Sequence, residues 1–215
     1  MSAESGISTF RDANGLWENH DIMDVASPVG FRKNPDLVYE FYNQRRRQLK
    51  EVLPNNGHKL LASLQKEYNI HIITQNVDDL HERAGSTKVT HLHGELRKVR
   101  SCSNEQYILD WHDDLTAEHK DPNGNAMRPH IVWFGEAVPM LEKAIEIIRT
   151  AAIVLIIGTS LNVYPAASLY EYAPSDAVLF YIDPKPATGI PKNIQVIAKG
   201  ASEGIQECIE AFKSL

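Results

Sequence analysis

Six short apolar runs punctuate this chain of 215 residues, at 70–74, 89–92, 131–134, 153–157, 178–182 and 194–197. Each is four or five residues long, which suits a strand buried on both faces and is too short for a core helix. Helical patterns stand between several of them, at 140–149 and 202–212 among others. Strands alternating with helices dictate a parallel sheet, because parallel neighbours require a crossover connection. Upstream, Pro35-Asp36 opens a helix carrying Leu37, Val38, Phe41 and Tyr42; proline suits the first turn, where its missing N–H costs nothing. A second helical pattern, 58–68, sets Leu60, Leu61 and Leu64 on one face. The expectation is an α/β fold with helices on both faces of the sheet. Between Arg97 and Arg128 the periodicity gives way to a polar stretch ending Asp121-Pro122-Asn123-Gly124-Asn125. That stretch, 97–128, reads as a small inserted lobe, and 1–96 with 129–215 as the main unit.

Composition narrows the function classes. A net charge of -6 argues against general binding to a phosphate backbone, so no nucleic-acid partner is expected. No apolar run approaches the 18 residues of a membrane span, and the N-terminus has no basic-then-apolar leader. Two distant cysteines, Cys102 and Cys208, suggest neither a disulfide framework nor a cysteine zinc site. The expected setting is the reducing cytoplasm. Nothing in the sequence fixes an oligomeric state.

Polar groups gather where the runs end. Thr74-Gln75-Asn76-Val77-Asp78-Asp79-Leu80-His81 follows the first run, and His91-Leu92-His93-Gly94 closes the second. Open α/β sheets build their sites at the carboxyl ends of the strands, so both clusters are placed for chemistry. A plainer reading gives Asp78-Asp79 a helix-capping role, and the two roles can coexist. Gln-Asn-Val-Asp followed by Leu-His-Gly resembles the core of the sirtuins, NAD-dependent protein lysine deacylases, and the resemblance runs from Ser2 to about Ala201. It implies a Rossmann-like sheet with a small lobe. It also implies a reaction in which the acyl oxygen of an acyl-lysine attacks the anomeric carbon of NAD and nicotinamide leaves. The 2'-hydroxyl then attacks the imidate, and water frees lysine and 2'-O-acyl-ADP-ribose.

The resemblance assigns roles residue by residue. His93 matches the general base, and an imidazole titrating near neutrality suits that work; His91, two residues earlier on the same strand face, is the nearest decoy. Asn76 shares the catalytic centre. Gln75 and Asn76 match contacts to the nicotinamide ribose, with Val77 beside them, and Asp78 matches the residue that holds the nicotinamide amide. Ser2, Ala3, Thr9, Phe10 and Arg11 match the loop that closes over NAD and keeps water from the reacting carbon. Gly158, Thr159 and Ser160 follow the most apolar run and match the adenosine side. Tyr181, Ile182 and Asp183 stand where the family carries Asn-x-Glu for the adenine ribose, the acid kept and the amide lost. Ala201 matches a backbone contact to adenine.

Two segments bear on the substrate. Val132, Trp133, Phe134, Gly135 and Glu136 read by default as core strand and turn; by resemblance this segment pairs with an acyl-lysine peptide as an added strand, and the tryptophan points to the class III, CobB-like subgroup. Tyr42 and Arg45 share a helix face. Arg45-Arg46-Arg47 reads equally as a solvated stripe, yet class III members use a Tyr and an Arg here for acidic acyl groups, and a guanidinium suits the distal carboxylate of succinyl-lysine. Deacetylation is expected alongside. Where most sirtuins hold four zinc-binding cysteines, 97–128 offers only Cys102, so no zinc is expected and packing around Leu109, Trp111 and Leu115 must hold the lobe. The family also carries a strand ending Gly-Ala-Gly just before the segment matching Ser2, mid-sheet, which this sequence lacks. Two rivals remain: NAD cleavage or ADP-ribosyl transfer to another nucleophile, and a non-catalytic NAD or ADP-ribose module.

Overall fold

The computed structural model describes residues 1–7, 16–17 and 20–212. A 3-10 turn, Ser2–Ser5, leads the chain, and two short strands, β1 (Leu16–Trp17) and β2 (His20–Asp21), pair antiparallel. Four helices follow: α1 (Ile22–Val25), α2 (Pro28–Lys33), α3 (Pro35–Glu51) and α4 (Asn56–Leu64). Their starts are written locally. Ser27, Asn34 and Asn55 each accept an N–H of the first turn, and Pro28 and Pro35 occupy positions where no N–H is needed. Next come β3 (Ile72–Thr74), α5 (Leu80–Arg83), β4 (Val89–His91), β5 (Gly94–Ser101), β6 (Ile108–Asp110) and β7 (Met127–Ile131). The chain closes with α6 (Leu141–Ile148), β8 (Ile153–Ile157), a 3-10 helix (Ala166–Tyr172), β9 (Val178–Ile182), β10 (Ile194–Ile197) and α7 (Ala201–Phe212).

The sheet is parallel, as the alternation requires, and it stands in two parts. β10, β9 and β8 form one ladder, Ile153 opposite Val178 and Ile194 opposite Leu179; β3 and β4 form another, Ile72 opposite Val89. Among the described residues β8 and β3 each pair on one side only, and both line a common cavity of about 650 Å³. All five residues of β8 are therefore only half-buried, although the run is Ile-Val-Leu-Ile-Ile. Helices α4 and α7 pack on one face, with Leu61, Leu64, Ile205 and Ile209 against Phe180 and Ile182. Contact there is close enough to need Gly204, where a Cβ would lie 2.2 Å from Ile182 Cγ2.

Two expectations change. The run 131–134 is not a strand: β7 ends at Ile131, and the backbone turns because the Glu136 side chain accepts the Trp133 N–H at 2.8 Å while Glu136 N donates to Trp133 O. The polar stretch 97–128 is built on antiparallel pairing, β5 between β6 and β7, around Tyr39, Val99, Leu115 and Met127. Leu115 and Trp111 pack there as expected, while Leu109 lies 37 % exposed. Burying Val99, Leu115 and Met127 stabilises the lobe by about 1.5–3 kcal/mol each. Asp121 supplies a polar centre: its carboxylate accepts from Ser101 Oγ, Asn123 N, Asn125 N and Asn125 Nδ2 at 2.7–3.2 Å. Those bonds hold Asp121 down at about 2.

Candidate active site

β3 delivers the first cluster. Thr74 Oγ1 accepts the Asn76 N–H at 3.0 Å and fixes the turn that leaves the sheet. Asn76 Nδ2 then donates to Ser2 Oγ at 2.8 Å, so the amino-terminal turn lies against the carboxyl edge of the strand. Asp78, 6 % exposed, accepts Leu80 N at 3.2 Å in the turn that enters α5. Burial pushes its carboxyl up, against hydrogen bonds from Ser2 and Leu80. Gln75 Nε2 reaches Thr159 Oγ1 at 3.5 Å across the mouth of the cavity, joining the ends of β3 and β8.

The two histidines beyond β4 separate on their partners. Both ring nitrogens of His91 are engaged, Nε2 with Glu82 Oε1 at 2.8 Å and Nδ1 with Asn76 O at 3.1 Å. Burial works against charging this ring, but the Glu82 carboxylate and the Asn76 carbonyl outweigh it and raise its pKa. His93 is the reverse. Burial lowers it, and the Gln75 backbone carbonyl pulls only partly the other way. A neutral imidazole carries one acceptor nitrogen, which a general base needs, so the direction of the shift favours the form that His93 would use. The His93 carbonyl also accepts Val132 N at 2.9 Å, which ties this histidine to the segment after β7.

The other expected residues distribute unevenly. Gly158 leaves β8 at a φ of 63° and donates to Ile182 O at 2.9 Å. Thr159 O accepts from Tyr181 Oη at 2.8 Å; Tyr181 and Ile182 are wholly buried, so both support the loop from behind. Asp183 Oδ1 accepts Lys185 N. Ser160 is half-buried beside Thr159. Ala201 N donates to the Glu4 carboxylate, which also takes Ser202 N and Oγ, so α7 is capped by the amino-terminal turn. Ala3 is exposed, and Val77 packs into the core beneath α3. Thr9, Phe10 and Arg11 lie outside the described residues.

Tyr42, Arg45 and Trp133 come together under the segment after β7. Trp133 Nε1 donates to Tyr42 Oη at 2.9 Å, and Arg45 stacks on the Phe41 ring and donates to Phe41 O at 2.6 Å. Tyr42 is fully buried and Arg45 8 % exposed, with Phe134 open at the surface. Burial drives the Tyr42 phenol far above its ordinary range, so it stays protonated with its hydrogen available to donate.

Residues that sequence reasoning missed include Arg100, Arg128 and Glu136, an ion-pair cluster beside Trp133, and the stacked pair His58 and His81 behind Asp78. The first had a faint signal in the acid that closes Val-Trp-Phe-Gly-Glu; the second had none. Among the described residues no three metal-ligating side chains converge, and no helix is long and apolar enough to cross a membrane.

Comparison with known proteins bears on this arrangement. A family profile described as "Sir2 family" matches residues 1–165. A protein of Helicobacter pylori named NAD-dependent protein deacylase is 57% identical over 208 residues, covering 96% of this chain and 91% of the relative. A Bacteroides thetaiotaomicron protein of the same name is 54% identical over 215 residues, covering 96% and 92%. Among solved structures, a Sir2 homolog–NAD complex superposes with a TM-score of 0.88 at 35% identity, covering 99% of this chain and 86% of that one. The chain belongs to the Sir2 family.

Proposed function

We propose that this chain is an NAD-dependent protein deacylase acting on acyl-lysine side chains, succinyl-lysine before acetyl-lysine, in the cytoplasm. The observation that carries the reading is the contrast between the two histidines: both ring nitrogens of His91 are engaged, by Glu82 and Asn76, whereas His93 is lowered by burial toward the neutral form and is tied through its carbonyl to Val132 N in the proposed peptide-binding segment. In this reading residues 1–96 and 129–215 form the NAD-binding unit and 97–128 a zinc-free lobe.

The side chains suit NAD. Gln75, Asn76, Ser2, Thr159 and Ser160 offer neutral amides and hydroxyls at one sheet edge, which bind ribose hydroxyls without repelling a developing cation. Asp78, its carboxyl raised by burial, lies beside them to face the carboxamide. Bound NAD supplies the electrophilic anomeric carbon. Asn76 and Gln75 orient the ribose, and His93 takes a proton from the ribose hydroxyls as the acyl group is captured. Val132–Gly135 offers its backbone to the peptide, and Trp133, Tyr42 and Arg45 receive the acyl end. Tyr181 and Asp183 hold the adenosine side chiefly by keeping Thr159 and the β9 turn in place, with Gly158 and Ala201 beside them.

The test is mass spectrometry of products after mixing the protein, NAD and matched acetyl- and succinyl-lysine peptides, with His93→Ala in parallel. Peptide-dependent 2'-O-acyl-ADP-ribose that disappears in the variant is the expected result. Nicotinamide release without any peptide would favour NAD cleavage instead. NAD binding without product would favour a binding module.

A further inference from the structure

Glu136 closes the segment expected to meet the peptide, and its carboxylate joins two elements that the proposed reaction needs. Its Oε2 accepts Trp133 N at 2.8 Å and Arg128 Nη2 at 3.0 Å, and its Oε1 accepts Arg128 Nη1 at 2.6 Å. Arg100 Nη2 approaches both oxygens at 3.3–3.4 Å. The backbone of Glu136 closes the same loop, its N–H donating to Trp133 O. Arg128, 8 % exposed, also donates to Ile131 O and lies 3.4 Å above the Trp133 ring, whose indole N–H holds the Tyr42 hydroxyl. One carboxylate thus fixes the backbone of the 132–135 segment. Through a stacked guanidinium it also fixes the ring that carries the acyl-end hydroxyl.

The energetics favour a positioning role over simple adhesion. Arg100 and Arg128 are nearly buried on the lobe strands β5 and β7 and share this single carboxylate. Charge-assisted bidentate bonds of this kind are directional, so they set geometry as well as energy. Gly135, at a φ of 87°, has no atom within 4 Å of where a Cβ would stand. The loop beyond Trp133 is therefore not wedged by packing at that point, and the Glu136 carboxylate holds it in shape.

We infer that Glu136 is a positioning residue for the acyl-lysine substrate, holding Val132–Gly135 and the Trp133 ring in the arrangement that receives the peptide, with Arg128 and Arg100 as its anchors. This rests on the deacylase reading given above. The test uses Glu136→Gln, which keeps shape and one acceptor, and Arg128→Lys, which keeps charge but loses the fork and the stack. The expected result is an increase of about tenfold in KM for acetyl- and succinyl-lysine peptides alike in Glu136→Gln, the scale of one lost charge-assisted contact. The KM for NAD should stay unchanged and kcat stay within about twofold. Arg128→Lys should move the same parameter in the same direction. Fluorescence anisotropy with a dye-labelled acetyl-lysine peptide reads the same loss without turnover. A lowered melting temperature with an unchanged peptide KM would overturn the inference and leave Glu136 purely structural, as would a parallel rise in the KM for NAD. An unmutated protein that fails to bind the labelled peptide would overturn the deacylase reading, and this inference with it.

Discussion

Acid should destabilise this protein through two rings buried behind the candidate site, and the size of the effect follows from where they sit. His58 is fully buried with neither ring nitrogen hydrogen-bonded, and His81, 4 % exposed, stacks on it with ring centroids 4.7 Å apart and Nδ1 without a partner. Burial lowers His58 to about 3, helped by His81 and the α-amino group. Burial also lowers His81 to about 4, with Glu82 opposing and His91 and the α-amino group assisting. The folded state therefore keeps both rings neutral down to about pH 4, while the unfolded chain protonates them near pH 6.5. Below that value the unfolded state binds more protons, so stability falls as pH falls from about 6.5 toward the folded values. Between pH 8 and pH 5 each ring costs roughly 1.5 × 1.36, or about 2 kcal/mol, and about 1.5 kcal/mol after allowance for residual screening. That figure barely depends on the folded values, because both lie well below pH 5. Urea titrations of the unmutated protein and His58→Phe at pH 8 and pH 5 test it. The other titrating groups are common to both proteins, so the variant should lose about 1.5–2 kcal/mol less on acidification, a midpoint difference of roughly 0.7 M for an m-value near 2.5 kcal/mol/M. Equal losses in both proteins would refute the reasoning.

Three further outcomes are expected. Gly204→Ala should lower the melting temperature by about 3–6 °C, because overpacking against Ile182, about 1–3 kcal/mol, exceeds the gain of about 1 kcal/mol in helix propensity. Asn43→Ala should cost about 2–4 kcal/mol in urea denaturation and expose the lobe to limited proteolysis, since Asn43 bridges Leu115 N and O at 2.8 and 2.9 Å and accepts Arg46 Nη1 at 2.7 Å. Prolonged dialysis against EDTA should leave the melting temperature within about 1 °C, since hydrogen bonds around Asp121 and apolar packing on Leu115 hold the lobe; a fall of several degrees would mean that a metal ion shares the task.

Much of this organisation was legible because it rests on period and punctuation. The runs that became β8, β9 and β10 read as strands because they are short and rich in β-branched residues, and Pro35 marks a helix start by chemistry that acts within one turn. Polar residues at the ends of β3 and β4 announced a sheet-edge site for the same local reason. What stayed hidden depends on contacts far apart in sequence. Arg46 reads as the middle of a solvated stripe, yet it is 1 % exposed and donates to Leu96 O and Asn43 Oδ1, while its neighbour Arg47 pairs with Glu40 and Asp114 at the surface. Ile131–Phe134 carries a strand's residues, but a side chain three positions beyond Trp133 captures its N–H. The lobe strands escaped because they carry no clean apolar period: β5 interleaves charged residues with Leu96 and Val99, and all three residues of β6 are exposed, shaped by pairing with β5.

The two-part sheet carries a colloidal consequence. Among the described residues β3 and β8 each pair on one side only, along an apolar cleft, and β8 is a five-residue aliphatic segment without charge or proline, the composition of a steric zipper. Strand addition between molecules pairs the other side and covers the half-exposed Ile153, Val154 and Leu155 side chains in one step. Turbidity and thioflavin fluorescence should therefore rise with protein concentration at temperatures below global melting. A charge at Val154 should suppress both, which makes β8 the gatekeeper of this protein's solubility.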